Sequence, residues 1–366
     1  MAGTEFVVTA DVVQRARVAV EAVFQIESVA TGKPGEAAVR FLGRFFAPPD
    51  EAYRRLAPEM ESLGFVVMFR TEQGRDAILL MPGRLPTDVR AGVVNGVLLV
   101  ITIFSTLFAG TMMMTSDPMD ALRRPWLGLP FALSLMVILG AHELGHYVAA
   151  RQFGVPVTLP YFIPMPFGPF GTLGAFISMK APPPNRRALL AVAAAGPLSG
   201  FFMALPILIL GLSMSAITPQ VTNGTVIMEG NSILYALLKI VTFGRFLPGG
   251  GQDVFLHPVA VAGWAGLLVT GLNLLPVGQL DGGHIVYALL GEKARLLTWP
   301  VIMVLLLLGV AWNGWFLWAL LIYFFGRRYA APLDDLTRLT PGQRIVGWLV
   351  ILIFILVFTP LPLTVS

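Results

Sequence analysis

The stretch that decides the fold is Leu133-Ser134-Leu135-Met136-Val137-Ile138-Leu139-Gly140-Ala141-His142-Glu143-Leu144-Gly145-His146-Tyr147-Val148-Ala149-Ala150. Its apolar run predicts a helix long enough to cross a bilayer, and its only carboxylate, Glu143, sits between two histidines. A charge at membrane depth costs about 3 kcal/mol or more unless it is paired, ligated or hydrated, so Glu143 is a functional candidate by default. Positions i and i+4 share one helix face. His142 and His146 therefore present two imidazoles to one metal ion, and Glu143, about 100° round the helix, reaches a water on that metal without occupying it.

A hydrolytic zinc keeps three protein ligands and one open position. The histidine pair supplies two. The third is expected in Asn273-Leu274-Leu275-Pro276-Val277-Gly278-Gln279-Leu280-Asp281-Gly282-Gly283, where Asp281 is the one acidic or basic residue between 258 and 290. Pro276 and the glycines break that helix. Membranes tolerate freed backbone only where it is buried in protein or lines a wet cavity, so Asp281 is placed to point inward. The other two histidines of the chain are weaker candidates. His284, three residues past Asp281, reads either as a hydrogen-bond partner behind the ligands or as a residue facing the headgroups, and His257 reads as interfacial.

Composition agrees with a membrane setting. Of 366 residues, 56% are hydrophobic and 13% charged, against about 25% charged in soluble domains. Half of the 46 charged residues (25 Lys and Arg, 21 Asp and Glu) fall in the first 90 positions. The expected architecture is thus a polytopic α-helical membrane protein with a small soluble α/β domain at residues 1–90 and a membrane-embedded domain at 91–366. Seven spans are expected, within a range of six to eight, near 92–114, 128–150, 188–214, 258–278, 297–311, 313–326 and 344–362. The fifth and sixth read as two helices or one bent hairpin. Ile233–Phe243 is too short to span and reads as interfacial or re-entrant. In the N-terminal part, helices are expected from Thr9 to about Val20 and after Pro48-Pro49. Strands are expected at Phe24–Ser28 and Ala37–Phe46, with a hairpin of Phe65–Phe69 and Ala77–Met81.

Lys and Arg of the short loops, among them Arg151, Lys180, Arg186 and Arg187, fall mostly on the side of residues 1–90. That puts the N-terminal domain and the active site on the cytoplasmic side of a multi-pass cell-membrane protein. No basic run interleaved with aromatics calls for nucleic acid. The absence of cysteine excludes disulfides, thiolate metal sites and a Cys nucleophile.

HELGH in one span and N-x-x-P-x-x-x-x-D-G in a later one resemble the site-2 protease family of intramembrane zinc metalloproteases, peptidase family M50. The resemblance covers roughly residues 128–290. It implies one zinc ion per chain held by His142, His146 and Asp281, with Glu143 activating water and Asn273 contacting the substrate backbone. It also implies a membrane-associated β-hairpin loop within 154–187. Gly174–Met179 resembles its edge strand, so Gly174, Ala175, Phe176 and Ile177 would hold an extended substrate. The small-residue run Ala193–Gly200 is similar to the family's span beside the site and reads as close helix packing. The implied substrate is a transmembrane segment, such as that of an anti-sigma factor or a membrane-tethered regulator, cut in regulated intramembrane proteolysis. No stretch looks like a PDZ domain, and the layout is similar to the branch of chloroplast-type members and their bacterial relatives. A metal transporter is the rival reading. Its pathway would show polar groups along several spans, whereas here they converge on one place, and transport has no need of Glu143.

Overall fold

The computed structural model describes residues 10–32, 37–86, 92–115, 117–219, 227–326 and 329–365. Thr9, the expected cap of the first helix, and residues 87–91, which hold the expected domain boundary, lie outside the described residues.

The N-terminal part runs α1 (Ala10–Glu21), β1 (Phe24–Thr31), β2 (Val39–Phe45), α2 (Pro49–Ser62), β3 (Phe65–Glu72) and β4 (Arg75–Pro82). Its four strands form one antiparallel sheet in the order β1-β2-β4-β3. Helix α2 opens on Pro49, whose fixed φ suits the first turn, and Asp50 and Glu51 face its positive end. Strands β3 and β4 join through Gln73-Gly74, both at positive φ (52° and 79°), in a two-residue turn that pairs Glu72 with Arg75. Alternation does the rest. Phe65, Val67 and Phe69 point into a core with Phe41, Leu56, Met60 and Ile78, while Val66, Met68 and Arg70 lie outside it.

Beyond residue 92 the chain is dominated by apolar helices. Among the described residues, three are long and apolar enough to cross a membrane: α3 (Val93–Thr115), α5 (Leu129–Gln152, extended by a 3-10 turn from Pro125) and α6 (Arg186–Ser213). The short helix α4 (Pro118–Arg123) links the first two, and a hairpin of β5 (Tyr161–Pro164) and β6 (Thr172–Phe176) separates the second from the third. Short strands β7 (Ala216–Pro219), β8 (Ile227–Glu229) and β9 (Gln252–Phe255) bracket α7 (Ile233–Phe243). Then come α8 (Pro258–Asn273), α9 (Asp281–Leu290), α10 (Thr298–Gly309), α11 (Gly314–Phe325), α12 (Pro341–Val357) and β10 (Leu363–Val365).

The seven spans drawn from hydropathy thus resolve into three full-length helices and several shorter ones. The fourth expected span ends at Asn273 because Pro276 cannot continue the ladder, and the chain restarts at Asp281. The fifth and sixth are two separate helices of 12 residues each, and α12 has 17.

Helices α5, α6 and α8 form the centre. Phe131, Leu135 and Ile138 of α5, Ala204 and Leu208 of α6, and Trp264 and Leu267 of α8 share one buried cluster. Small residues set how closely these helices approach. A Cβ on Gly145 would stand 2.5 Å from the Ala195 carbonyl oxygen, and one on Gly263 would stand 2.6 Å from Leu208 Cα.

Residues 329–340 form a strap between the two parts. Its Leu333 carbonyl accepts from the Phe69 N–H (2.9 Å) and its Asp335 N–H donates to the Phe69 carbonyl (3.2 Å), covering the free edge of β3. On its other side Leu333 and Asp334 donate to the Pro183 and Pro184 carbonyls. Arg186 pairs with Asp335 at 2.9 Å and Arg187 with Asp50 at 3.3 Å.

Candidate metal centre

His142, Glu143 and His146 lie in the second half of α5, all buried. Helix α6 runs antiparallel beside them, and its glycines repeat the histidine spacing. A Cβ on Gly196 would stand 2.1 Å from His146 Nε2, and one on Gly200 would stand 3.0 Å from His142 Nδ1. Any side chain at Gly196 would take the space of the imidazole. One turn away, the Val192 carbonyl accepts a hydrogen bond from His146 Nδ1 at 2.7 Å. That bond puts the proton on Nδ1 and leaves the Nε2 lone pair facing the site, the tautomer a metal ligand needs.

Asp281 arrives from 135 residues away. It is the first residue of α9, at the positive helix end where a carboxylate is favoured. The turn that delivers it, Leu274–Leu280, packs closely against the start of α9 and leaves no room for a side chain at its glycines. Gly278 has φ +64°, and a Cβ on Gly282 would stand 2.0 Å from the Leu274 carbonyl oxygen.

The three donor atoms make a nearly equilateral triangle. His142 Nε2 and His146 Nε2 are 3.2 Å apart, and Asp281 Oδ2 lies 3.4 Å from the first and 3.2 Å from the second. Ligands bound tetrahedrally at about 2.0–2.1 Å stand about 3.3 Å from one another. The residues therefore fit a small tetrahedral ion, with the fourth position left to the cleft. Among the described residues, His142, His146 and Asp281 are the group of three so placed.

A cleft of about 620 Å³ opens onto this triangle. Glu143 lines it beside the ligands, with Oε2 buried and without a hydrogen-bond partner, and Ile177 lines the same cleft. Asn273, last residue of α8, brings its amide to 3.4 Å from His142 Nε2. Ala175, Phe176 and Ile177 form part of the cleft wall. Gly174 does not. It is buried in the hairpin at φ +102°. The regular strand of the expected edge ends at Phe176, and Val157↔Met179 closes the pairing beyond it. In that two-stranded hairpin, the edge of β6 opposite β5 has no strand partner among the described residues.

His284 is buried on the cleft wall with Nδ1 unpartnered, which sets aside the headgroup reading. His257 caps α8, accepting from the Val259 N–H at 3.3 Å. Reading along the chain missed Gly196 and Gly200 as seats for the rings, the Val192 carbonyl, and the Ala330 and Ala331 wall of the cleft. The first of these had a signal, since glycines four apart in an apolar helix match histidines four apart in its neighbour.

The family model for Peptidase family M50 matches residues 130–309, which holds every ligand of the triangle. Residues 130–309 thus carry a peptidase family M50 domain. The chain is 30% identical over 354 residues to "Probable zinc metalloprotease EGY2, chloroplastic" of Arabidopsis thaliana, an alignment covering 91% of this chain and 62% of that one. A rice protein of the same name (Oryza sativa subsp. indica) is 28% identical over 91% of this chain and 63% of its own length. "Probable zinc metalloprotease EGY1, chloroplastic" of Arabidopsis thaliana is 31% identical over 63% of this chain and 43% of its own. The chain thus spans under two thirds of the length of these relatives. No solved structure matches it.

Proposed function

We propose that this protein is an intramembrane zinc metalloprotease that hydrolyses peptide bonds within transmembrane segments of other membrane proteins. The observation that carries the reading is the triangle of donor atoms beside an unpartnered glutamate, set in a cleft among apolar helices. The names of the relatives support zinc as the ion. Bound by His142, His146 and Asp281, zinc supplies Lewis-acid polarisation of the scissile carbonyl and an acidified water.

The chain's own residues do the rest. Glu143 takes the proton of the attacking water and passes it to the leaving amide nitrogen, a role for which its Oε2 is free. The free edge of β6 through Ala175–Ile177 holds the substrate extended, because the peptide bonds of a helix are shielded. Asn273 donates its amide to the substrate backbone beside the ligands. Ile177 and Glu143 line the same cleft, which keeps the substrate-holding segment close to the base.

The reading extends to the setting. Residues 1–90 act as a soluble domain on the cytoplasmic side, and the short apolar helices α8 to α12 complete a multi-pass arrangement of about seven crossings in the cell membrane. The substrate is the transmembrane segment of a regulator such as an anti-sigma factor. Replacing Glu143 by Gln is expected to keep one zinc per chain while lowering cleavage of a co-expressed transmembrane reporter by about 10²–10⁴-fold. Undiminished cleavage by that variant rejects the mechanism, and a chain that cleaves no transmembrane reporter at all rejects the function.

A further inference from the structure

A second cavity, of about 1150 Å³, opens at the other end of the helix bundle. It exceeds the roughly 300–1,000 Å³ of small-molecule sites. Helix α6 begins at the cleft and ends at this cavity, and α8 begins at the cavity and ends at the cleft. The β5–β6 hairpin touches both. Ala175–Met179 line the cleft, and the tip, Pro166–Phe170, lines the cavity, with Phe167 almost wholly exposed and Phe170 against Trp264.

Two rulers give the separation. From Val261 to Asn273 along α8 is about 18 Å at 1.5 Å per residue. From Phe170 to Phe176 along the hairpin is at most about 20 Å at 3.3 Å per residue. An apolar segment that crosses a bilayer is about 30 Å long. One such segment reaches both places at once.

Resting on the protease reading above, we propose that the second cavity is a subsite for the same substrate, holding the part of the transmembrane segment that lies about 20 Å from the scissile bond. Its surface suits a chain of variable sequence. Met112, Met113, Met114, Met214 and Met228 contribute to the wall, and flexible, polarisable methionines repack around different apolar side chains. Glu229 and Asp253 also face it, with Lys239 behind Glu229 at 3.8 Å. With Glu229 paired to Lys239 and accepting the Tyr235 hydroxyl, Asp253 supplies the negative charge that favours a basic residue at that end of the substrate and disfavours an acidic one. The far end of the segment is thereby anchored, and the distance between the two sites sets which bond reaches Glu143.

The test uses the full chain carrying Glu143→Gln and a synthetic Leu/Ala-rich peptide of about 20 residues, sized to span a bilayer. Benzoylphenylalanine is placed at each peptide position in turn, and adducts are mapped by mass spectrometry in lipid nanodiscs. The position that labels Ala175–Met179 marks the register. Positions about 20 Å from it are expected to label Met112–Met114 or Met214. Combining Met113→Trp with Val261→Trp is expected to lower that distal yield at least tenfold, with retained zinc content showing that the variant is folded. Distal labels that react only with lipid or with the exposed faces of α10 and α11, while the central label reacts at the hairpin, overturn the subsite and leave the protease reading standing. If no position labels the hairpin, the protease reading falls and the subsite with it.

Discussion

The N-terminal sheet and the helix bundle are built on opposite rules. In the sheet, large apolar side chains lie inside (Phe41, Phe65 and Phe69 are fully buried) and ion pairs such as Arg17–Glu21 and Arg55–Glu51 lie outside. In the bundle, large apolar side chains line the outside, among them Phe104, Leu307 and Phe324. The interior adds to its central apolar cluster many glycines and alanines and the buried polar groups His142, Glu143, His146 and Thr270. Water drives the first arrangement by expelling apolar surface. Lipid gives no such drive, so close backbone approach and polar pairing hold the second together. In the bundle a small residue is therefore as informative as a large one is in the sheet.

The sharpest break of this contrast is the largest expected effect. Gly196→Leu puts a side chain where the His146 ring sits. It is expected to lower zinc affinity more than about 100-fold, beyond the 10–100-fold of supporting-residue changes. Metal analysis of the purified variant reads this directly, and full zinc occupancy would refute the packing argument.

Phe69→Ala comes next, at about 3–4 kcal/mol for a large buried ring. Hydrogen exchange should show β3 and β4 losing protection while zinc content stays at one per chain. If zinc is lost with the strands, the strap at Leu333–Asp335 has merged the two parts into one cooperative unit.

Within α10 the two rules meet on neighbouring turns. Leu305 is buried and Leu307 is 70% exposed. Leu305→Ala is expected to cost about 2–3 kcal/mol, and Leu307→Ala less than about 0.5 kcal/mol. Thermal unfolding in detergent compares them, and equal losses would mean that a partner covers the outer face. The smallest effect belongs to the exposed Arg17–Glu21 pair, where Arg17→Ala should change stability by no more than about 0.5 kcal/mol. A denaturant midpoint shift worth over 1 kcal/mol would show that this surface pair is not solvated as drawn.

How much was legible along the chain follows the same division. Strands β3 and β4 were readable because alternation is local, and the Gln73-Gly74 turn marks their join. The metal ligands were readable because four-residue spacing on a helix and a lone carboxylate in an apolar run are both local signals. Span length was not. Pro276 and Trp312-Asn313-Gly314-Trp315 marked where the apolar runs break, but hydropathy drew the fourth span to 278 while α8 ends at Asn273.

The amino-acid sequence by itself determined the donor set and put Glu143 beside it, because ligand chemistry belongs to side chains and the i, i+4 spacing belongs to any helix. Only the tertiary structure decided that Asp281, 135 residues from His146, closes the triangle to 3.2 Å. It also decided that Gly196, Gly200 and the Val192 carbonyl seat the rings. Those contacts come from how closely α5, α6 and α8 pack, and that closeness is a property of paired surfaces that no single segment carries.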